Sequence, residues 1–157
     1  MASSTEPTDL FPFLDENVVP VESSPAAPLV EAAFYDENLP ALLSRTSWDR
    51  LDEAPFGIIH LNQDGVVQAY NQFEAQFSGR SASGTIGRNF FQEVAPCTQS
   101  RFFRGRYQEG LAKKDLDVTF SYTFTYRMRP TIVDVRMIQD LPEGGWVLIR
   151  PKAGAAA

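Results

Sequence analysis

Asp117-Val-Thr-Phe-Ser-Tyr-Thr-Phe-Thr-Tyr-Arg-Met128 alternates without a break. Val118, Phe120, Tyr122, Phe124, Tyr126 and Met128 fall on one side; Thr119, Ser121, Thr123, Thr125 and Arg127 fall on the other. A period of two over that length predicts a β-strand with one buried face. Downstream, residues 131–139 and 146–150 read as two more strands, joined at Pro142-Glu-Gly-Gly145. Upstream, residues 56–62 and 66–70 form a hairpin around the turn Gln63-Asp-Gly65. Between the two groups the pattern turns helical. The order is strand, strand, short helices, a longer helix, then three strands. That order predicts an α+β domain, one antiparallel five-stranded sheet with flanking helices.

Asn71 is placed to cap a short helix over residues 72–77, which Gly79 ends. On its helical wheel Phe73, Glu74, Phe77 and Ser78 share one arc. Glu74 thus faces with the phenylalanines, and Tyr70 at the strand end can meet it. A carboxyl group on an apolar face resists ionisation, so its pKa is expected to rise. Taken alone, such a Glu more often sits at the edge of the face and reaches water. Residues 81–89, with Gly84 and Gly87, read as a loop holding one helical turn. Residues 101–114 read as a helix with Phe103, Tyr107 and Leu111 buried, helped by Phe102; Gly105 and Gly110 weaken it. Arg101, Arg104, Arg106, Lys113 and Lys114 read as its solvated face, with a docking patch for an acidic segment as the lesser alternative.

The run from Asn89 to Ser100 holds the only cysteine, Cys97. Thr98 and Ser100 are both good N-caps for the helix that follows. A thiol just ahead of a helix N-terminus lies near the positive end of its dipole, which favours the thiolate. A buried cysteine acting as a small hydrophobe fits these residues equally well. His60 is the only histidine and lies within a strand, so a His/Cys metal site is not supported. Nothing in the sequence sets it beside Cys97 as a catalytic base. No Gly-rich phosphate loop follows a strand, and Gly-x-Ser-x-Gly does not occur. What remains is a thiol, the Tyr70 phenol, the Glu74 carboxyl, Arg80 and an aromatic strand. That set suits holding a ligand more than turning one over.

The chain of 157 residues is long enough for one domain with arms. No apolar run approaches a membrane span, and the start lacks the basic and apolar regions of a signal peptide. With a single cysteine and hence no internal disulfide, a cytoplasmic location is expected. The formal charge of −6 argues against nucleic acid as a partner. Residues 1–44 carry eight acidic residues and no Lys or Arg, which leaves residues 45–157 with 12 acidic against 14 basic. Residues 1–28, with five prolines, read as an acidic disordered leader; Phe11, Phe13 and Leu14 form an apolar knot within it. Residues 29–55 read as a cap of short helices with Leu39, Leu42 and Leu43 on one face, extended by Trp48 and Leu51. Such helices are marginal alone and need docking on the core, residues 56–150; what docks can be released. Residues 151–157 read as a frayed tail.

One set of residues goes further. It comprises Tyr70-Asn71, Glu74, Gly79-Arg80, Ile86-Gly87-x-Asn89-Phe90-Phe91, Val94-Ala95-Pro96-Cys97-Thr98, Phe120-x-Tyr122-Thr123-Phe124-x-Tyr126-x-Met128-x-Pro130 and Trp146. The sequence resembles the photoactive yellow protein family, blue-light receptors of the PAS superfamily, from about residue 33 to 150. The resemblance implies a PAS fold with an N-terminal helical cap. It implies a p-coumaric acid (4-hydroxycinnamic acid) chromophore in thioester linkage to Cys97, with Tyr70 and a protonated Glu74 donating hydrogen bonds to its phenolate. Ser78 would support Tyr70, where the best-known members carry Thr. Arg80 would cover the pocket, and the Cys97 N–H would hold the thioester carbonyl. Phe90, Ala95, Pro96, Phe124, Tyr126 and Met128 would complete the site, with Met128 assisting thermal return. Trans-to-cis isomerisation, loss of the Glu74 proton and release of the cap are the expected signal, read by an unknown downstream signalling protein. Phe34 is expected to meet Arg150 in a cation–π contact. The expected state is a monomer or weak dimer, without membrane or nucleic-acid contacts. The rivals are a PAS-type sensor of another, non-covalent ligand and a cysteine-dependent enzyme.

Overall fold

A computed structural model describes residues 29–125, 130–140, 142 and 144–152. The leader with Phe11, Phe13 and Leu14, the predicted site residues Tyr126 and Met128, and residues 153–157 lie outside the described residues. Five strands form: β1 (Gly57–Leu61), β2 (Val67–Tyr70), β3 (Asp117–Phe124), β4 (Thr131–Gln139) and β5 (Gly145–Pro151). They make one antiparallel sheet in the order β2-β1-β5-β4-β3. The strand that alternates most cleanly, β3, is an edge strand. Thr119, Ser121 and Thr123 are exposed, while Val118, Phe120 and Tyr122 are half-buried. β1 and β5 lie inside the sheet and are buried almost throughout, so their alternation is hidden in the sequence.

Each face of the sheet has its own apolar layer. On the inner face, Ile59, Val135, Val147 and Ile149 pack with Phe90, Phe91, Phe103 and Tyr107. On the outer face, Ile58, Ile138 and Leu148 lie under the cap residues Phe34, Leu39, Leu43, Leu51 and Phe56. The cap is a 3-10 turn (Glu31–Tyr35) followed by α1 (Leu39–Arg45) and α2 (Trp48–Leu51). Trp48 does not extend its buried face: the ring is 37 % exposed.

Arg136 reaches up from β4 to grip the cap. Its Nη1 donates to the carbonyls of Phe34 (3.0 Å) and Asp36 (2.7 Å), and its Nε and Nη2 hold Asp117 at 2.9 Å each. Arg150 pairs with Glu31 (2.5 Å) and sits 5.6 Å from the Tyr35 ring centroid. Tyr35, not Phe34, therefore makes the cation–π contact. A 3-10 turn rotates successive residues by about 120°. Phe34 is fully buried against Phe56 (5.4 Å), and Tyr35 is left at the rim, where its hydroxyl donates to Asp134.

The long helix expected over residues 101–114 runs unbroken to Lys113 but changes type within its length. A wide π-type turn (Arg101–Gly105) precedes the α-helix α5 (Arg106–Lys113). The wide turn points Phe103 and Tyr107 inward (0 % exposed) but leaves Phe102 45 % exposed and Leu111 half-buried. At the far end of the chain, β5 runs through Pro151, and Lys152 pairs with Asp134 at 3.1 Å. Residues 151 and 152 therefore belong to the core rather than to a frayed tail.

Candidate functional site

The site grows from helix α3 (Gln72–Ser78), which directly follows β2. Asn71 caps it, accepting from the Glu74 N–H at 3.1 Å. The same side chain accepts from Ile58 N–H (2.9 Å) and donates to the carbonyls of Leu51 (3.1 Å) and Phe56 (3.0 Å). A fully buried amide is thereby satisfied at every position. Gly79, at φ +78°, closes the helix. With both ends fixed, Glu74 (0 % exposed) and Ser78 (2 %) form the inner row, and Phe73 and Phe77 border it half-buried. The hydroxyls of Tyr70 and Ser78 share a buried hydrogen bond of 2.7 Å.

Gly57 is the residue that sequence reasoning missed. A methyl group there would come within 2.1 Å of Glu74 Oε1. The carboxyl group occupies the space that a missing side chain leaves in β1. The available signal was a glycine inside a strand, which often marks a close approach.

After α3 come a short helix, α4 (Ala82–Thr85), and a wide turn (Phe90–Val94). Asn89 caps that turn, accepting from Phe91 N–H (3.0 Å) and Gln92 N–H (3.1 Å). Phe90, Phe91, Val94 and Ala95 are buried in the inner layer. Arg80 ties α3 to this turn through Nη2 and the Glu93 carbonyl (3.2 Å), while its Nε is buried without a hydrogen-bond partner among the described residues.

Cys97 lies in a separate 3-10 turn (Pro96–Thr98) and is a half-buried free thiol packed on the inner layer. Thr98 does not cap the downstream helix; its hydroxyl donates back to Ala95 O at 2.7 Å. Ser100 is the cap, accepting from Phe103 N–H at 3.2 Å. The segment it opens is the π-type turn, which runs directly on into α5, so Cys97 stands just ahead of a helical run that reaches Lys113. Pro96 starts the 3-10 turn and is exposed, so it shapes the backbone rather than the pocket wall.

The Tyr122 hydroxyl donates to the Cys97 carbonyl. Burial, then the electrostatic influence of the neighbouring Cys97 group, pushes the Tyr122 phenol above its ordinary range, so it remains a neutral donor. Phe124 joins the same wall, 5.7 Å from Tyr122 between ring centroids. His60 bonds Asp140 (2.8 Å) and stacks edge-on against Trp146 in the outer layer. Cys97 borders the inner layer, so the sheet lies between them and they form no dyad.

Tyr70, Phe90, Ala95 and Phe124 thus share the inner-face layer that Cys97 packs against, with Ser78 bonded to Tyr70 and Glu74 one turn before Ser78 on α3. Among the described residues no group of three or more His, Cys, Asp or Glu is placed to hold a metal ion. No described helix is long and apolar enough to cross a membrane.

A sheet of this order with helices packed on its inner face defines a class. The family model described as PAS fold matches residues 49–147, which makes the chain a PAS-fold protein. It is 40 % identical over 102 residues to the photoactive yellow protein of Rhodothalassium salexigens, covering 64 % of this chain and 82 % of the relative. To the photoactive yellow protein of Halochromatium salexigens it is 38 % identical over 118 residues, covering 74 % and 94 %. The crystal structure of the photoactive yellow protein domain from a sensor histidine kinase of Rhodospirillum centenum matches with a TM-score of 0.66 at 36 % identity, covering 71 % of this chain and 98 % of that one. The chain belongs to the photoactive yellow protein family.

Proposed function

We propose that the chain is a blue-light receptor whose Cys97 carries a p-coumaroyl group in thioester linkage. The observation that carries this reading is a fully buried acid, Glu74, one turn from a Ser78 hydroxyl bonded to Tyr70, on the same side of the sheet as the single free thiol. The residues suit the group: hydroxyl and carboxyl donors at one end, a thiol at the other, aromatic walls between, and a guanidinium at the mouth with a buried nitrogen to spare. When bound, the group supplies a double bond that light turns from trans to cis and a phenol that can ionise.

A free phenol titrates near ~10, and an ionised one is disfavoured inside a protein. Tyr70 and a protonated Glu74 offset that, because hydrogen bonds to a charged acceptor contribute about 1.5–3 kcal/mol each. Ser78 orients Tyr70. The Cys97 N–H holds the thioester carbonyl oxygen, and Tyr122 fixes the Cys97 main chain. Phe90, Ala95 and Phe124 exclude water. Under illumination Glu74 gives up its proton. A carboxylate then stands fully buried, which costs several kcal/mol. Asn71 links the Glu74 helix to Leu51 of the cap, so this cost loosens the cap and exposes a surface for a downstream signalling protein. The Rhodospirillum centenum domain belongs, by its description, to a sensor histidine kinase, which supports a partner of that kind.

The test is to mix the protein with activated p-coumarate and measure the denatured mass and the visible spectrum. The wild type should gain one coumaroyl mass and a visible band that bleaches under blue light; Cys97→Ser should gain neither. A bare chain would return the protein to a sensor of some non-covalent ligand. A different acyl group trapped on Cys97 would point to a cysteine enzyme.

A further inference from the structure

Beside the Cys97 turn, one surface combines unneutralised positive charge with bare aromatic area. Phe102 is 45 % exposed, although it packs on Phe120 (5.2 Å) and stacks on Tyr122 (6.2 Å). The Arg106 guanidinium lies over Phe102 (4.3 Å) and over Phe120 (5.0 Å). Arg101 beside them is exposed, and Arg104 is half-buried. Among the described residues, none of Arg101, Arg104 and Arg106 has an ion-pair partner, whereas Arg88, Arg136 and Arg150 each hold a carboxylate. Guanidinium groups stacked on aromatic rings favour carboxylates and further aromatic rings at once.

The chain itself contains a segment of that chemistry. Residues 1–28 carry five acidic residues and no basic ones. Within them, Asp9-Leu-Phe-Pro-Phe-Leu-Asp-Glu16 sets two phenylalanines and two leucines between three carboxylates. The described chain begins at Leu29 on the outer face, where Glu31 is held by Arg150 and Tyr35 by Asp134. Arg150, Asp134 and Ser121 lie abreast on β5, β4 and β3. Strands are spaced about 4.8 Å apart, so Arg150, which holds Glu31, lies two strands or roughly 10 Å from β3. β3 is the edge of the sheet, and Phe120 and Tyr122 flank Ser121 on its opposite face. Residues 17–29 can extend about 40 Å, ample to round that edge.

We propose that the Phe102–Phe120–Arg106 surface binds residues 9–16 of the same chain, which cross the β3 edge from the outer face to the inner. The bound segment lies against Tyr122, whose hydroxyl holds the Cys97 carbonyl. It thereby couples the acidic leader to the backbone of the anchoring cysteine. The proposal does not depend on the pigment, and neither does its test.

Amide hydrogen exchange on the full chain in dilute solution tests it. The amides of residues 9–16 should exchange about tenfold or more slowly than an unstructured chain. Arg101→Glu with Arg106→Glu should abolish that protection and leave the amides of β1 and β5 unchanged. Asp15→Arg with Glu16→Arg, altered outside the core, should abolish it too. Combining the two pairs should restore protection. Residues 9–16 exchanging freely in the wild type would overturn the proposal, and so would protection that survives either charge reversal. Protection that disappears on dilution would also overturn it, because the segment would then be bound by a second copy.

Discussion

Replacing Arg136 by Met should release the cap without unfolding the sheet. Arg136 is only 5 % exposed, and its Nη1 spans two cap carbonyls, Phe34 O and Asp36 O. Hydrogen bonds from a charged donor contribute about 1.5–3 kcal/mol each, so the two together contribute roughly 3–6 kcal/mol before costs. Against this, holding a guanidinium out of water costs several kcal/mol, and Met removes that cost while keeping most of the volume. Asp117, whose side chain is 41 % exposed, can rehydrate once its partner is gone. The net loss of cap docking is then about 2–4 kcal/mol. At a factor of ten per ~1.4 kcal/mol, the cap-open population rises roughly 30- to 700-fold. Native-state hydrogen exchange reads this directly at the amides of Ala33, Asp36, Leu39 and Leu42, which bond within the cap. Their exchange should accelerate by that factor while β1 and β5 stay protected. Cap amides within about threefold of wild type would refute the grip. Cap and sheet accelerating together would show that Arg136 supports the whole fold rather than the cap.

Two further perturbations follow from the same geometry. Gly57→Ala puts a methyl 2.1 Å from Glu74 Oε1 and should cost about 1–3 kcal/mol by denaturant unfolding; in a Glu74→Asp background, with a shorter side chain, less than half of that cost should remain, and an undiminished cost would detach Gly57 from Glu74. The second is pH. Burial opposes ionisation of Asp134, but hydrogen bonds from Tyr35, Lys152 and Ser121 outweigh it and hold the carboxyl below its ordinary 3.8. Burial, then Asp134, raises Tyr35 above its ordinary 10.0. A lowered acid stabilises above its unfolded value and loses that as pH falls through the folded one; a raised phenol stabilises below its unfolded value and loses that as pH rises. Cap exchange, corrected for its intrinsic rate, should therefore be slowest between about pH 4 and 10 and quicken on both sides, and Asp134→Asn should flatten the acid side. A flat profile in the wild type would show that Asp134 and Tyr35 do not hold the cap.

Much of the site could be read along the chain because its geometry is local. Tyr70, Glu74 and Ser78 are placed by one strand end and one helix of known period, and β3 shows its alternation because an edge strand exposes one set of side chains. What stayed hidden was set by contacts across the fold. Gly57 matters only because Glu74 folds onto it from 17 positions away. Arg136 looked like one residue of a strand, and its grip depends on a cap that approaches from about 100 positions upstream. The wide turn at Arg101–Gly105 kept a helical composition, and one extra residue per turn is enough to carry Phe102 out to solvent. Tyr35 took the contact expected of Phe34 because neighbours on a 3-10 turn point about 120° apart, and Phe34 is the one turned into the outer layer.

Beyond its apolar layer on the sheet, the cap is held by polar contacts of two kinds. On the sheet side they involve charged groups, and one of them is largely wet: Glu31, paired with Arg150, has a side chain 60 % exposed. Salt acts on such a pair. On the α3 side the hold is the Asn71 amide, fully buried, binding Leu51 and Phe56 with one end and Ile58 and Glu74 with the other. No ion reaches it. It can be broken only by moving the helix that carries Glu74 or the chain that carries Leu51, and each group left unpaired costs about 1–3 kcal/mol. A shift of the Glu74 turn therefore strains the cap at Leu51, whereas a change in salt strains it at Glu31. The two inputs enter at different points and act on one docking equilibrium, so the cap sums them: loosening the ionic side lowers the displacement that Glu74 must supply.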